Sequence, residues 1–85
     1  MLSVRLEFHP TARKQFAKLS EQDKKRVTKA INGLREKPPV GDIKPLKGTV
    51  DIYRLRKGKY RIKFSRESKD EILIMKIEPR GQVYK

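Results

Sequence analysis

From Tyr53 to Phe64 the chain alternates apolar and cationic residues through a central Lys57-Gly58 step. A period of two belongs to a strand with one buried face, because successive strand side chains point to opposite sides. The Gly allows a tight hairpin turn, although Asn-Gly would signal one more strongly. A turn at Lys57-Gly58 pairs Arg56 with Lys59, Leu55 with Tyr60 and Arg54 with Arg61. Tyr53, Leu55, Tyr60, Ile62 and Phe64 then share one face, which is core. Arg54, Arg56, Lys59, Arg61 and Lys63 share the other, with no acid among them. A solvated sheet face is often charged, and that is the plain alternative. Like charges directly opposite each other are unfavourable, however, by a few tenths of a kcal/mol per pair, and an ordinary surface mixes signs. An anion seated over the arginines resolves the conflict. Phosphate is the natural one, since guanidinium presents a planar fork of donors to its oxygens.

The remaining segments supply what that hairpin packs against. Val4 to Phe8 alternates as a half-buried strand and stops at His9-Pro10. Pro10 suits the first turn of a helix, whose apolar stripe is Ala12, Phe16 and Leu19. Ser20 with Asp23 three positions on reads as an N-cap. The helix it opens carries Val27, Ala30, Ile31 and Leu34 at helical spacing. Lys37-Pro38-Pro39 ends it. Residues 38–51, with three prolines and two glycines, read as a loop. Strands follow at Ile52–Arg56, Lys59–Ser65 and Glu71–Ile77, and residues 78–85 form a tail. The continuously apolar run from Ile72 to Met75 reads as a central strand covered on both faces. The expected fold is α+β, a single domain over residues 1–85 in the order β-α-α-β-β-β. Its αα-hairpin packs on a mainly antiparallel four-stranded sheet.

Composition narrows the chemistry. The 85 residues hold 23 Lys+Arg against 10 Asp+Glu, a formal charge of +13, with no Cys and one His. Residues 1–50 carry 12 basic against 5 acidic side chains and residues 51–85 carry 11 against 5, so the folded body itself is basic. An anionic partner is implied, and nucleic acid leads. The lack of Cys excludes disulfides, thiolate metal sites and a cysteine nucleophile. No apolar run approaches the roughly 20 residues of a membrane span, and no signal-peptide core stands at the N-terminus. The expectation is a soluble cytoplasmic protein that binds no membrane.

The acids are scattered singly, so neither a carboxylate pair nor a metal constellation can be assembled, and no cofactor is expected. RNA cleavage by such a chain has to be metal-free. The RNA supplies its 2′-OH as nucleophile, and the protein supplies positioning, charge stabilisation and proton transfer. Arginine cannot be the base, because its pKa exceeds about 12. Tyr84, the lysines, Glu78 and His9 remain for proton transfer. His9 beside Pro10 also reads simply as a turn residue. Tyr84 near cations has its phenolate favoured, and its ring can stack on a base.

Three blocks together resemble the RelE/ParE superfamily of toxin–antitoxin toxins: Leu46-Lys47-Gly48, Tyr53 to Ile62, and Pro79-Arg80-Gly81-Gln82-Val83-Tyr84. The resemblance spans essentially the whole chain and looks closest to the RelE branch. It implies a ribosome-dependent mRNA interferase that cleaves the A-site codon by 2′-OH attack. It also implies neutralisation by a cognate RelB-like antitoxin, and operator DNA binding only as the toxin–antitoxin complex. Carried over by position, Arg61 matches the arginine that contacts the scissile phosphate. Arg80 matches the C-terminal arginine associated with transition-state charge or leaving-group protonation. Tyr84 matches the tyrosine that stacks on the substrate base and assists proton transfer.

Arg54 and Arg56 complete the catalytic candidates, at positions where the best-known RelE enzymes carry two lysines. If one of those lysines is a general base, arginine cannot simply replace it. Lys47, Lys57, Lys59 and Lys63 are the RNA-binding candidates. A second departure is that many members continue into a C-terminal helix, whereas this sequence ends at Lys85. Two other readings stand beside this one: a ParE-like inhibitor of DNA gyrase, and a non-catalytic RNA-binding module of the ribosome.

Overall fold

A computed structural model describes residues 4–79. The chain runs β1 (Arg5–Phe8), α1 (Pro10–Ala17), α2 (Glu21–Asn32), a 3-10 turn (Gly33–Arg35), β2 (Asp42–Pro45), β3 (Ile52–Lys57), β4 (Tyr60–Ser68) and β5 (Glu71–Pro79). The α+β class and the helix pair on a mainly antiparallel sheet are as expected. The sheet has five strands rather than four, in the order β1-β5-β4-β3-β2. The added strand is β2, inside the segment read as a loop. It pairs antiparallel to β3, with Ile43 opposite Leu55. A four-residue edge strand tolerates its terminal Pro45, because proline's missing donor matters little at an edge. The first strand lies parallel to the last, Leu6 opposite Ile72 and Phe8 opposite Ile74.

Both helices begin where their caps dictate. The His9 side chain caps α1, its Nδ1 accepting from the Thr11 N–H at 3.1 Å, and Pro10 occupies the first turn. His9 therefore has a structural task. Ser20 caps α2, its Oγ accepting from the Asp23 N–H at 3.1 Å, an arrangement worth about 1 kcal/mol. Ala12 from α1 and Val27, Ile31 and Leu34 from the second helical segment are buried against Leu55, Ile62, Phe64, Ile72, Ile74 and Ile77 of the sheet.

The run Ile72 to Met75 is not covered on both sides. Ile72 and Ile74 are buried under the helices, whereas Leu73 and Met75 are half-buried on the opposite face. Beyond Met75 the register slips: Phe64 pairs with Ile74, but Lys63 pairs with Lys76. Met75 is the extra residue of a β-bulge, which reverses the side on which later side chains emerge. That reversal returns Ile77 to the core three positions after Ile74. The Gln15 side chain closes the strand edge there, its Oε1 accepting from the Ile77 N–H at 2.7 Å.

One polar contact fastens the β3–β4 hairpin to α2. The Tyr60 hydroxyl donates to Asp23 Oδ2 at 2.8 Å, and Lys59 Nζ stands 3.5 Å from the same oxygen. The hydroxyl, helped by Lys59 and Arg26 and opposed by burial, holds the Asp23 carboxyl below the usual carboxylate range. The same bond, with burial, pushes the Tyr60 phenol up. Each shift sets one limit on the contact. Asp23's contribution is complete above about pH 4 and is lost as pH falls through its lowered folded-state value. Tyr60's contribution is complete below about pH 10 and is lost as pH rises through its raised value. Tyr60→Phe is therefore expected to lower the denaturant midpoint at neutral pH. It should also flatten both the acid and the alkaline arms of the stability profile, read by circular dichroism; unchanged arms would remove this contact from the account.

Candidate nucleic-acid interface

The hairpin turns at Gly58-Lys59, one residue later than the sequence spacing suggested. Gly58 has φ +56°, and Lys57 is opposite Tyr60. A glycine with positive φ at the first central position is what a two-residue turn of this hand requires. Arg56 consequently faces Arg61, Leu55 faces Ile62, Arg54 faces Lys63 and Tyr53 faces Phe64. The expected partners have each moved by two positions. Since side chains repeat every two residues, Arg54, Arg56, Arg61 and Lys63 keep the face assigned to them.

On that open face, away from the helices, the pairings line up as two rows across the sheet. One row runs Asp42, Arg56, Arg61, Glu78, and the next runs Lys44, Arg54, Lys63, Lys76. The neighbouring strands β2 and β5 therefore bring two acids, Asp42 and Glu78, into these rows beside the hairpin's cations. Lys44 and Lys76 are additions that strand periodicity from the hairpin alone missed. The alternation Asp42-Ile43-Lys44 was the available signal for the first. For the second it was the odd spacing of Ile74 and Ile77, which marks the bulge that places Lys76 opposite Lys63.

Lys59 leaves the face. It lies in the turn, paired with Asp23 and with its Nζ 5.7 Å from the centre of the Tyr60 ring. Lys57, exposed, falls in line with Tyr60 on the helix-side register. Lys47 is exposed beyond β2, outside both rows. Arg80 and Tyr84 lie outside the described residues.

The arginines of the rows differ in what holds them. Arg54 donates from Nη1 to the Asp42 carbonyl at 3.1 Å and stands 3.5 Å from the Asp42 carboxylate. Its side chain is only 9% exposed. It ties β2 to β3, and little of its guanidinium is left to meet a ligand. Arg61 Nη2 is 3.9 Å from Glu78 Oε1, with both side chains about one-third exposed. That is too long for a hydrogen bond, so the donor fork of Arg61 remains available. Arg56 is exposed and, among the described residues, has no carboxylate within ion-pair distance. Arg56 and Arg61 thus form a two-guanidinium seat, with Lys63 one row away and Glu78 beside it as a group able to carry a proton. Among the described residues there is no cluster of three or more His, Asp or Glu that could hold a metal ion.

Comparison with known proteins assigns the chain to a family. The family model described as the ParE toxin of type II toxin–antitoxin systems matches residues 6–84. The chain belongs to the RelE/ParE toxin superfamily. A RelE1 relative from Methanocaldococcus jannaschii is 32% identical over 88 residues, covering 99% of this chain and 98% of its own. RelE in the RelE–RelB complex from Pyrococcus horikoshii is 31% identical with a TM-score of 0.78, over 95% of this chain and 99% of that one. The RelB–RelE antitoxin–toxin complex from Methanococcus jannaschii matches at 26% identity and a TM-score of 0.74, over 92% and 94% of the two chains. Among the described residues no helix is long and apolar enough to cross a membrane.

The two arginines of β3 should separate on substitution. Arg54→Ala removes a nearly buried tether and is expected to cost about 1–3 kcal/mol in chemical denaturation. Arg56→Ala should stay within about 0.5 kcal/mol of the parent. Equal losses would contradict the assignment of Arg54 to β2–β3 cohesion.

Proposed function

We propose that this toxin is a ribosome-dependent, metal-independent endoribonuclease, a single domain over residues 1–85 acting in the cytoplasm on mRNA in the ribosomal A site. The observation that carries the proposal is the facing pair Arg56, exposed, and Arg61, about one-third exposed, within the two rows of the open sheet face, where cations outnumber acids. Such a pair costs stability unless an anion sits over it, and a phosphodiester is the anion whose geometry the fork matches.

In the reaction the 2′-oxygen attacks the adjacent phosphorus, and the bond from phosphorus to the 5′-oxygen breaks. The products are a 2′,3′-cyclic phosphate and a 5′-hydroxyl. One proton leaves the 2′-OH and one arrives on the departing 5′-oxygen. Arg61 and Arg56 take up the phosphoryl charge, which grows in the transition state. Lys63, Lys44 and Lys76 hold the flanking backbone. Arg54 contributes by keeping β2 in place. By the resemblance, Arg80 stabilises the leaving group and Tyr84 stacks on the base and assists proton transfer. Glu78 is a further proton carrier on the face. No cofactor enters. The partner that silences the toxin is a RelB-like antitoxin, as the RelE–RelB complexes of its relatives support, and operator DNA is bound only through that complex.

A second reading follows from the ParE description of the matching family model: a toxin that blocks DNA gyrase. The two separate in one pair of assays. With defined mRNA on translating ribosomes, the purified chain should leave codon-spaced cuts with 5′-hydroxyl ends. Arg61→Ala should slow cutting by about 10²–10³-fold, the usual effect of losing one charge-stabilising donor. Intact mRNA together with blocked supercoiling would establish the gyrase reading instead. Intact mRNA with retained ribosome binding would leave a non-catalytic RNA-binding module, which should also tolerate Tyr84→Phe.

The affinity for ribosomes should fall steeply with salt. Arg56→Ala should reduce the slope of log K against log salt by about 0.7, one single-strand phosphate contact. An unchanged slope would place the RNA on another surface.

A further inference from the structure

The row that holds Arg56 and Arg61 ends in a carboxylate at each side, Asp42 on β2 and Glu78 on β5. The two are not alike. The Asp42 carboxylate stands 3.5 Å from Arg54 Nη1, and its carbonyl accepts from the same nitrogen at 3.1 Å, so Asp42 is occupied in holding β2. Glu78 Oε1 lies 3.9 Å from Arg61 Nη2, and its side chain is one-third exposed. That distance is too long for a hydrogen bond, so the carboxylate stays open to a ligand. Given the nuclease reading, on which this rests, we infer that Glu78 is the general base of the cleavage: its carboxylate takes the proton from the attacking 2′-OH.

Three observations select Glu78. The first is the type of group. A base has to accept a proton, and an ionised carboxylate offers only acceptors, whereas guanidinium and ammonium offer only donors. The second is place. Glu78 is the partner of Arg61 across β4 and β5, and neighbouring strands lie about 4.8 Å apart. A phosphate on Arg61 thus has this carboxylate one strand to its side, and the attacking oxygen stands about 3–3.5 Å from phosphorus. Lys63 and Lys76 lie two residues along the strands, about 6.6 Å further off. The third is the bulge at Met75. In a regular strand Glu78 would emerge beside Ile72 and Ile74, under the helices. The extra residue turns it to the open face, a use of bulges common next to active sites. In the step, the proton passes from the 2′-oxygen to Glu78 as the bond from that oxygen to phosphorus forms. The bond from phosphorus to the 5′-oxygen breaks, the 5′-oxygen takes a proton from the donor on the leaving side, and Glu78 releases its own to solvent. Arg61, between the two anions, offsets the repulsion of carboxylate and phosphate.

The test is single-turnover cutting of mRNA on programmed ribosomes by an excess of the full chain, with ribosome affinity measured by titration. Glu78→Gln keeps the size of the side chain and an acceptor for Arg61, yet it cannot take the proton. Its cutting rate should fall by about 10²–10⁴-fold, the usual contribution of a general base. Its circular dichroism spectrum should match the parent's, and its ribosome affinity should stay within about threefold, since the loss is confined to the chemical step. Glu78→Asp, which keeps a base on a shorter arm, should recover part of the rate. A second mRNA carries sulfur in place of the scissile 5′-bridging oxygen, so that the leaving group departs as a thiolate and needs no proton. The loss in Glu78→Gln should persist on this substrate. A loss that vanishes there would make Glu78 the leaving-group acid and overturn the assignment. So would a Glu78→Gln rate within about threefold of the parent's, or a defect in affinity instead of rate. A parent chain that leaves mRNA intact ends the nuclease reading and this assignment together. A parent that cuts while Glu78→Gln cuts as fast ends only the assignment.

Discussion

Burying one side of the β3–β4 hairpin is the constraint from which the rest follows. Leu55, Ile62 and Phe64 must meet Val27, Ile31 and Leu34 if a chain of this size is to have a core. Strand geometry then leaves their neighbours Arg54, Arg56, Arg61 and Lys63 no other place than the opposite face. The concentration of positive charge there is a direct product of core formation. The fold offsets part of the resulting repulsion locally, through Asp42 beside Arg54 and Glu78 beside Arg61. In the function proposed above, the pair Arg56 and Arg61 is left to an external anion. The same alternation would then build both the core and the ligand seat, and couple stability to binding through one hairpin.

Placement of that hairpin depends on contacts at both of its ends. Tyr60 reaches across to Asp23 at the start of α2, which fixes the turn end against the helix layer. Arg54 reaches the other way to Asp42, which fixes the edge strand β2. Between them the bulge at Met75 rotates the end of β5 so that Ile77 packs inward while Lys76 and Glu78 join the rows of the open face. Each of these features lies far from its partner in sequence, and each changes which side chains a phosphate would meet.

Much of this was legible in the residues. Ser20 with Asp23 marked the start of α2 because a cap is a local hydrogen bond. Alternation assigned Arg54, Arg56, Arg61 and Lys63 to one face, and it survived an error in the turn position because a shift of two preserves parity. Lys59 was misassigned by the same turn error, since a turn residue belongs to neither face. The segment around Asp42-Ile43-Lys44 read as a loop because prolines and glycines surround it. Only the exposed edge of β3 makes it a strand. Arg54 read like its neighbours, and nothing local distinguishes a cation that will be drawn under a carbonyl from one that will stay in solvent.

The sequence by itself determined the α+β class, where each helix begins, the sidedness of the hairpin and the resemblance to the RelE/ParE toxins. These are properties of spacing within a few residues, where period and capping act. The second helix, α2, ends at Asn32, ahead of the Lys37-Pro38 stop that the prolines suggested. The tertiary structure alone decided the recruitment of β2, the bulge that turns Lys76 outward, and the division of labour between Arg54 and Arg56. These depend on which backbone edges and side chains meet across tens of residues. Pairing of that kind is settled by the energy of the whole assembled sheet, not by any local pattern.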